Sequence, residues 1–507
     1  MLPVAYLVIR ASQAGSAAWD RLFQSETVTL LASSAGLALC VAGASIVIAV
    51  PFAWLVTWTD LPFRRVWAVL GPVPLVIPSY VGALAYISAF GPRGLLQQVL
   101  EGPFGIDRLP EIYGFGGAFL TLTLFSYPYV LLLAMAALRR LDMDLVDSAR
   151  GLGRRPARAF AAVALPQLRP ALSFGGLLCA LYTLSDFGVV SLMRFDTFTR
   201  VIYVHYRSLY DRTGAALFAL VLVALTVAFV LGELKLWGDA RRNTTSSSSR
   251  QRARVQLGRW KPAAIAFLAS VTGLALVVPG AVLTYWLVRS LHTSFELTEV
   301  SGAVLGSFSG SALAALVATA LALPVAIAAA RSHQRAARVI EGLATSGFAL
   351  PGIVIALGLV FFATRYVSFV YQTLALLVVA YVIRFLPQAV GAARAAIARA
   401  DPQLEEAARS LGHGRASIFL RITLPLAGPG IAAGALLVFL TAMKELPATL
   451  ILKPIGFDTL ATRVWSAAST SSYGDAALPA LLLIAISAIP LAFATARGAR
   501  LGAPGAG

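Results

Sequence analysis

The sequence predicts an all-α polytopic membrane protein, and three observations carry that prediction. Of its 507 residues, 58% are hydrophobic and only 13% charged, and the mean hydropathy is +0.79. That is more apolar surface than a water-soluble core encloses. The apolar residues also collect in eleven long runs, near 28–58, 66–90, 116–138, 172–193, 214–236, 263–289, 302–330, 340–363, 368–391, 430–452 and 476–497. Backbone groups in hydrocarbon must bond within their own segment, so runs of this length are read as helices. A barrel would instead need alternating segments of about ten residues, and these runs are long and rich in Leu, Ala and Val.

Charge supplies the third observation. A net charge of +18 invites a nucleic-acid reading until the basic residues are placed. The connectors near 59–66, 139–169, 235–261, 331–338 and 394–421, with the C-terminal tail, hold 27 of the 41 Lys and Arg. Short positive loops stay in the cytoplasm, so the alternation orients every helix and places these connectors and the C-terminus inside. Basicity here encodes topology, and no nucleic-acid partner is expected. Cys40 and Cys179 both fall in apolar runs, where they act as small hydrophobes and offer no disulfide framework. Met1 to Arg10 is too short for a signal peptide and lacks a cleavage region, so the first full helix is expected to serve as the insertion signal.

The chain aligns with itself. Pro51 matches Pro324 and Pro78 matches Pro351 at an offset of 273, while Pro128 matches Pro387, Phe160 matches Phe419 and Pro170 matches Pro429 at 259. The 14-residue difference is one insertion in the loop from Gly91 to Tyr113, where length changes are tolerated. This gives a first half at 1–236 with its core at about 28–236, a linker at 237–261, and a second half at 262–499 with its core at about 302–497. The linker holds Asn243, Thr244, Thr245, Ser246 to Ser249 and several Arg, a composition that cannot bury apolar surface. Tyr285, Leu287, Val288 and Arg289 close a full helix in the second half, whereas Tyr6, Val8 and Arg10 close only a stub. A complete plan would hold twelve helices in a six-plus-six pseudo-twofold arrangement, with the first helix of the first half shortened.

One polar element occurs in both halves. Asp142, Asp147, Ser148, Ala149, Gly153, Val163, Leu165 and Pro166 match Asp401, Glu406, Ala407, Ala408, Gly412, Ile422, Leu424 and Pro425. Asp142 and Asp401 are good N-caps, and Pro402 suits the first helical position. Leu404, Ala407, Ala408 and Leu411 share one helical face, as do Leu145, Ser148, Ala149 and Leu152, and Gly153 and Gly412 are natural stops. A smooth small-residue face rimmed by Arg150, Arg154, Arg155, Arg409 and Arg415 suits a groove on another protein rather than chemistry. Pro166 and Pro425 are expected to break the next helical stretch and turn the chain back into the membrane.

Glu406-Ala407-Ala408, three residues, Gly412, nine residues and Ile422-x-Leu424-Pro425 resemble the EAA loop of binding-protein-dependent ABC importer permeases. The first copy departs from that pattern with Asp147-Ser148 and Val163. The resemblance covers nearly the whole chain and implies two tandem six-helix type 1 ABC permease halves. It further implies that Asp147, Ala149, Gly153, Glu406, Ala407, Ala408 and Gly412 couple the permease to a separate ATPase homodimer, and that an extracytoplasmic binding protein delivers substrate across the inner membrane. No lysine follows a glycine, so a phosphate-cradling loop is absent and ATP is hydrolysed elsewhere. The chain reads as a transport subunit, neither an enzyme nor a cofactor protein.

Lys444-Glu445-Leu446-Pro447-Ala448-Thr449-Leu450 and Phe457-Asp458-Thr459-Leu460-Ala461-Thr462-Arg463 resemble the ferric-iron branch of these permeases, echoed by Ser185-Asp186-Phe187-Gly188 and Phe195-Asp196-Thr197-Phe198-Thr199-Arg200. Thiamine, phosphonate and polyamine permeases share the architecture and remain alternatives; a secondary carrier is the rival from another class, but the two elements lie on the same side, which argues against inverted repeats. Asp186, Glu445 and Lys444 are candidates for a cation path, because ionisable groups inside a membrane are costly unless they face a cavity or a partner. The competing reading is that Lys444 and other basic groups neutralise the two carboxylates as structural pairs. Arg384 is read as a structural or snorkelling residue rather than a pore residue, and Arg194, Asp196, Arg200, Lys453, Asp458 and Arg463 lie in outer loops where a substrate-loaded binding protein would dock, with simple solvated loop charge as the equal alternative. His205, His292, His333 and His413 lack ligand spacing, so no resident metal is expected.

Overall fold

The computed structural model describes residues 2–13, 15, 16, 19, 20, 24–141, 148, 149, 151–153, 156–237, 255–291, 297–331 and 334–501. Among them the chain is all-α, and the only strand-like pairing is a single parallel bridge between Thr59 and Val255. Apart from the four-residue turns Pro156–Ala159 and Arg415–Ile418, the α-helices in order are α1 (Leu2–Ser12), α2 (Ser25–Trp58), α3 (Arg64–Leu70), α4 (Ser79–Phe90), α5 (Leu95–Phe104), α6 (Phe115–Arg140), α7 (Leu165–Ser185), α8 (Gly188–Leu192), α9 (Phe198–Arg207), α10 (Arg212–Trp237), α11 (Lys261–Thr272) and α12 (Val278–Ser290). The second half continues with α13 (Leu297–Arg331), α14 (Arg335–Thr345), α15 (Gly352–Tyr366), α16 (Leu374–Arg399), α17 (Pro402–Ser410), α18 (Leu424–Met443), α19 (Pro447–Leu452), α20 (Leu460–Ser469) and α21 (Tyr473–Leu501).

Seven helical stretches among the described residues are long and apolar enough to cross a bilayer. Two runs read as single spans, 66–90 and 340–363, are broken instead, at equivalent places. A 3₁₀ turn at Val73–Val76 precedes Pro78 and α4, and another at Ser346–Ala349 precedes Pro351 and α15. Steric clash with a proline ring forces the residue before it out of the helical region, and Ile77 and Leu350 accordingly take extended ψ values of 122° and 123°. In the first half the pieces on either side differ in direction by 96°.

Pro166 and Pro425 do not break their helices. Each follows a π turn, Phe160–Ala164 and Phe419–Thr423, and the chain runs on as α7 and α18. A proline removes one backbone N–H and crowds the carbonyl four residues earlier. Widening the turn by one residue relieves that clash. A third π turn, Gly273–Val277, stands two residues before Pro279 in the same manner.

The chain folds as two compact units, and each draws on both halves of the sequence. One comprises 23–201, 224–293 and 468–507; the other comprises 1–22, 202–223 and 294–467. The first is built on α2, α6 and α7 packed together, and α12 lies against α4 and α21. Ala85, Ala89 and Val282 form a buried cluster there, and Trp286 donates its indole N–H to Ser88 Oγ at 2.6 Å. The second repeats the core with α13, α16 and α18, where Ala326, Ala393, Ile397, Ala427 and Ile431 interlock. Small side chains let these helices approach closely, which is how packing replaces the missing hydrophobic drive inside lipid. Within this unit α1 packs on α15: Leu7 is fully buried, and Tyr6 meets Phe362 and Tyr366 edge to face at 6.1 and 5.9 Å. The short α1 thus occupies the role that α12 plays in the other unit.

Candidate functional site

The repeated polar element is a short helix closed by a left-handed glycine. In the second copy, Asp401 caps α17 by accepting the Gln403 N–H at 2.9 Å, and Pro402 opens the helix where its missing donor costs nothing. Gly412 ends it at φ +84°, with its N–H on the Arg409 carbonyl at 3.0 Å and the His413 N–H on the Ala408 carbonyl at 3.1 Å. That pair of bonds is a Schellman stop, and it requires a residue that accepts positive φ.

Where the first copy is described it has the same geometry. Gly153 lies at φ +82°, and the Leu152 N–H reaches the Ser148 carbonyl at 3.0 Å, as Leu411 reaches Ala407 at 3.2 Å. Ala149 and Ala408 turn inward at 9% and 6% exposure, whereas Leu152 and Leu411 stand out at 84% and 79%. The face read as uniform from the sequence is therefore divided: Ala408 anchors it, and Leu404, Ala407 and Leu411 face outward with Glu406 also exposed. Asp142, Asp147, Arg150, Arg154 and Arg155 lie outside the described residues.

The acid that ties α17 down is Glu405, the neighbour of the one singled out from sequence. Its Oε1 accepts from Arg331 Nη2 at 2.8 Å and from Thr423 Oγ1 at 2.9 Å. Two adjacent glutamates look alike in sequence. Only the fold says which one meets Arg331.

Asp186 and Glu445 stand at the second feature, where α7 and α18 end and a short helix begins. Both are buried, and each caps that short helix: Val189 N–H donates to Asp186 Oδ1 at 2.8 Å, and Ala448 N–H donates to Glu445 Oε1 at 3.1 Å. Carboxylates at a helix start are favoured by the free N–H groups and the dipole. The surroundings differ. Ser79, at the start of α4, donates to Asp186 Oδ2 at 2.5 Å. Its equivalent is Gly352, where a Cβ would lie 2.5 Å from Glu445 Oε1 and 2.6 Å from Arg384 Nη1. The space left by the missing side chain admits Arg384, whose Nε pairs with Glu445 Oε2 at 3.1 Å. Arg384 is thus the ion-pair partner of Glu445, a contact that the sequence reading assigned to Lys444 and other basic groups. Lys444, which precedes Glu445 in the chain, is partly buried.

Outside the apolar spans, Lys453 and Arg463 bracket Asp458, and Arg463 also meets Glu299 at 2.5 Å. Burial alone would raise the Asp458 pKa, but Lys453 and then Arg463 hold it below the ordinary carboxylate value. Glu299, Asp458 and Arg463 line an open depression of about 420 Å³ with Phe308, Ser309 and Phe457. In the other unit the bracketing pair is Arg200 with Asp196. Ser34 and Ser307, absent from the sequence reading, accept the Phe198 and Leu460 N–H groups at 3.1 and 2.7 Å and so start α9 and α20 alike. Among the described residues no three His, Cys, Asp or Glu side chains gather in a metal-holding group.

Comparison with known proteins matches residues 322–503 to the binding-protein-dependent transport system inner membrane component family. The Fe(3+)-transport system permease protein FbpB 2 of Haemophilus influenzae is 33% identical over 97% of this chain and 94% of that protein. The putative ferric transport system permease FbpB 1 of the same organism is 23% identical over 88% of this chain and 73% of its own length. A putative 2-aminoethylphosphonate permease, PhnU of Salmonella typhimurium, is 31% identical but over only 30% of this chain and 55% of its own. A many-helix chain with this kinship is a transport permease, a membrane subunit and not an enzyme. It belongs to the binding-protein-dependent transport system inner membrane components. Membership makes it a multi-pass inner-membrane protein whose partners are an ATPase and a periplasmic binding protein.

Proposed function

We propose that this chain is the permease of a ferric-iron importer, supplying both membrane halves and both ATPase docking elements. The observation that carries the substrate is the relationship over 97% of the chain to a permease named for Fe(3+) transport. The phosphonate relative covers 30% of the chain and supports that alternative less.

For coupling, support comes from the matched pair of closures. Leu152 with Gly153 and Leu411 with Gly412 project a leucine beside a left-handed glycine from a polar connector. An exposed leucine outside the apolar spans suits a groove on another protein. Asp147, Ala149 and Gly153 of 1–236, with Glu406, Ala407, Ala408 and Gly412 of 262–499, would then dock on the two subunits of an ATPase homodimer. The positive-inside pattern supports a cytoplasmic side for both elements. Closure of the ATP-bound dimer would draw them together and open the path to the periplasmic side. Asp186, Glu445 and Lys444 are the ionisable groups offered to a passing cation, with the two carboxylates held by short-helix N–H groups.

The test is uptake of labelled ferric iron against labelled thiamine by membranes containing the permease with its cognate ATPase and binding protein. Iron accumulation that depends on ATP supports the assignment. Thiamine uptake without iron uptake contradicts it.

A further inference from the structure

Trp58 and Arg331 are the last residues of α2 and α13, equivalent in the 273-residue register, yet they share no chemistry. Each nevertheless joins the same three parts of its half. Trp58 is 5% exposed, and its indole N–H donates to the Leu138 carbonyl near the end of α6 at 3.1 Å. Its ring meets Phe160, the first residue of the π turn, edge to face at 5.9 Å. Arg331 Nη2 donates to the Ala400 carbonyl just past α16 at 3.0 Å and to Glu405 in α17 at 2.8 Å. Glu405 takes the Thr423 hydroxyl, from the last residue of the matching π turn.

An isolated surface ion pair would not support more than a local role. Here both partners are largely enclosed, at 22% and 16% exposure, and each makes a second hydrogen bond, so the four groups form a connected strut. Trp58 adds a further link, because its carbonyl accepts the Val255 N–H at 2.9 Å, and the linker's end is fixed there. Rigid contacts of this kind, between packed elements, are what transmit a displacement rather than absorb it.

We propose that Trp58 and the Arg331–Glu405 pair are positioning residues that transmit movement of the docking elements to the helix cores, through an aromatic strut in the first half and an ionic strut in the second. This rests on the reading of the repeated elements as ATPase docking sites. The strut from Arg331 runs through α17 itself on its way to Thr423 of the π turn, whereas the strut from Trp58 reaches only the π turn beyond the first element. Loss of the ionic strut therefore frees a docking helix, and loss of the aromatic one frees only the turn behind it.

The experiment uses the full transporter, reconstituted with its ATPase and loaded binding protein, and reads three quantities: permease level, ATPase co-purification, and ATP hydrolysis with and without binding protein. Arg331→Glu is expected to lower binding-protein stimulation about tenfold, inside the usual range of coupling between sites. The swap Arg331→Glu with Glu405→Arg should recover most of it, which a residue needed only for folding would not do. Arg331→Lys, which keeps the charge and loses the fork, serves where the reversal fails to accumulate, and an intermediate loss is expected. Full stimulation in Arg331→Glu or Arg331→Lys overturns the proposal, as does a well-assembled swap without recovery. If a photo-crosslinking residue at position 411 fails to capture the ATPase in the unaltered transporter, the docking reading itself has failed, a separate outcome.

Discussion

Arg384 and Glu445 form a buried ion pair at 3.1 Å, at the positions where the first half carries Phe125 and Asp186. One repeat therefore solves the same junction with a cation and the other with the Ser79 hydroxyl. The two halves share a backbone plan and differ in the electrostatics of this junction.

Removing Arg384 should be far more damaging than softening Asp186. Arg384→Met leaves a buried carboxylate without its cation, a change that typically costs about 3–5 kcal/mol. Asp186→Asn keeps an oxygen for the Val189 N–H, and the Ser79 hydroxyl can turn to accept from the new amide, so the change should cost about 1–3 kcal/mol at most. Thermal unfolding in detergent separates them: equal midpoints for the two variants would contradict the assignment of Arg384 as the partner of Glu445.

Gly412 and Gly153 hold left-handed backbone, so alanine at either position costs roughly 1–2 kcal/mol locally. Gly412→Ala is expected to reduce binding-protein-stimulated ATP hydrolysis more than Gly153→Ala, since the second copy carries the fuller Glu406-Ala407-Ala408 pattern. The reverse order of effects would count against the inequality of the two elements.

Leu411→Ser and Leu152→Ser should leave the permease folded, because both side chains are exposed at 79% and 84%. Each removes about 1.5–3 kcal/mol of apolar burial at a docked partner. ATPase co-purification should therefore fall by about tenfold or more for each. Wild-type retention by either variant argues that its leucine touches nothing.

The clasp between loop and linker carries a pH signature. Lys261 and the Leu257 N–H hold the Asp60 carboxyl below its ordinary value. A depressed acid stabilises the folded form above its unfolded pKa and loses that effect as pH falls through the folded one. Hydrogen exchange at Val255, whose N–H is bonded to Trp58, should be flat from about pH 5 to 8 after correction for intrinsic rates, and rise only below about pH 4. Asp60→Asn should raise it at neutral pH. Steady protection across the acid range would exclude the clasp.

Much of the architecture was legible because lipid leaves the backbone few choices. Long apolar runs had to be helices, and Gly412 after an Asp401-capped stretch marked a short polar helix. The breaks at Pro78 and Pro351 were less legible. A proline inside an apolar run can be absorbed, as Pro51 is in α2, or can end the helix, and neighbours decide which. The π turns before Pro166 and Pro425 are the absorbed case. Partner identity was the least legible part: Glu405 meets Arg331 across 74 residues, and Arg384 reaches Glu445 only because position 352 is glycine. Periodicity within a segment contains no information about such pairs. The self-alignment came nearest, since it put Gly352 opposite Ser79 and Arg331 opposite Trp58, the substitutions that distinguish the halves.

In the proposed assembly one chain offers two docking elements to two copies of one ATPase. Its most direct test places a photo-crosslinking amino acid at position 152 or at 411 in the assembled transporter and measures which subunits are captured and in what ratio. Capture of the ATPase from each position, with two ATPase subunits per permease, is the predicted result. Capture from one position alone, or one ATPase subunit per permease, would contradict it.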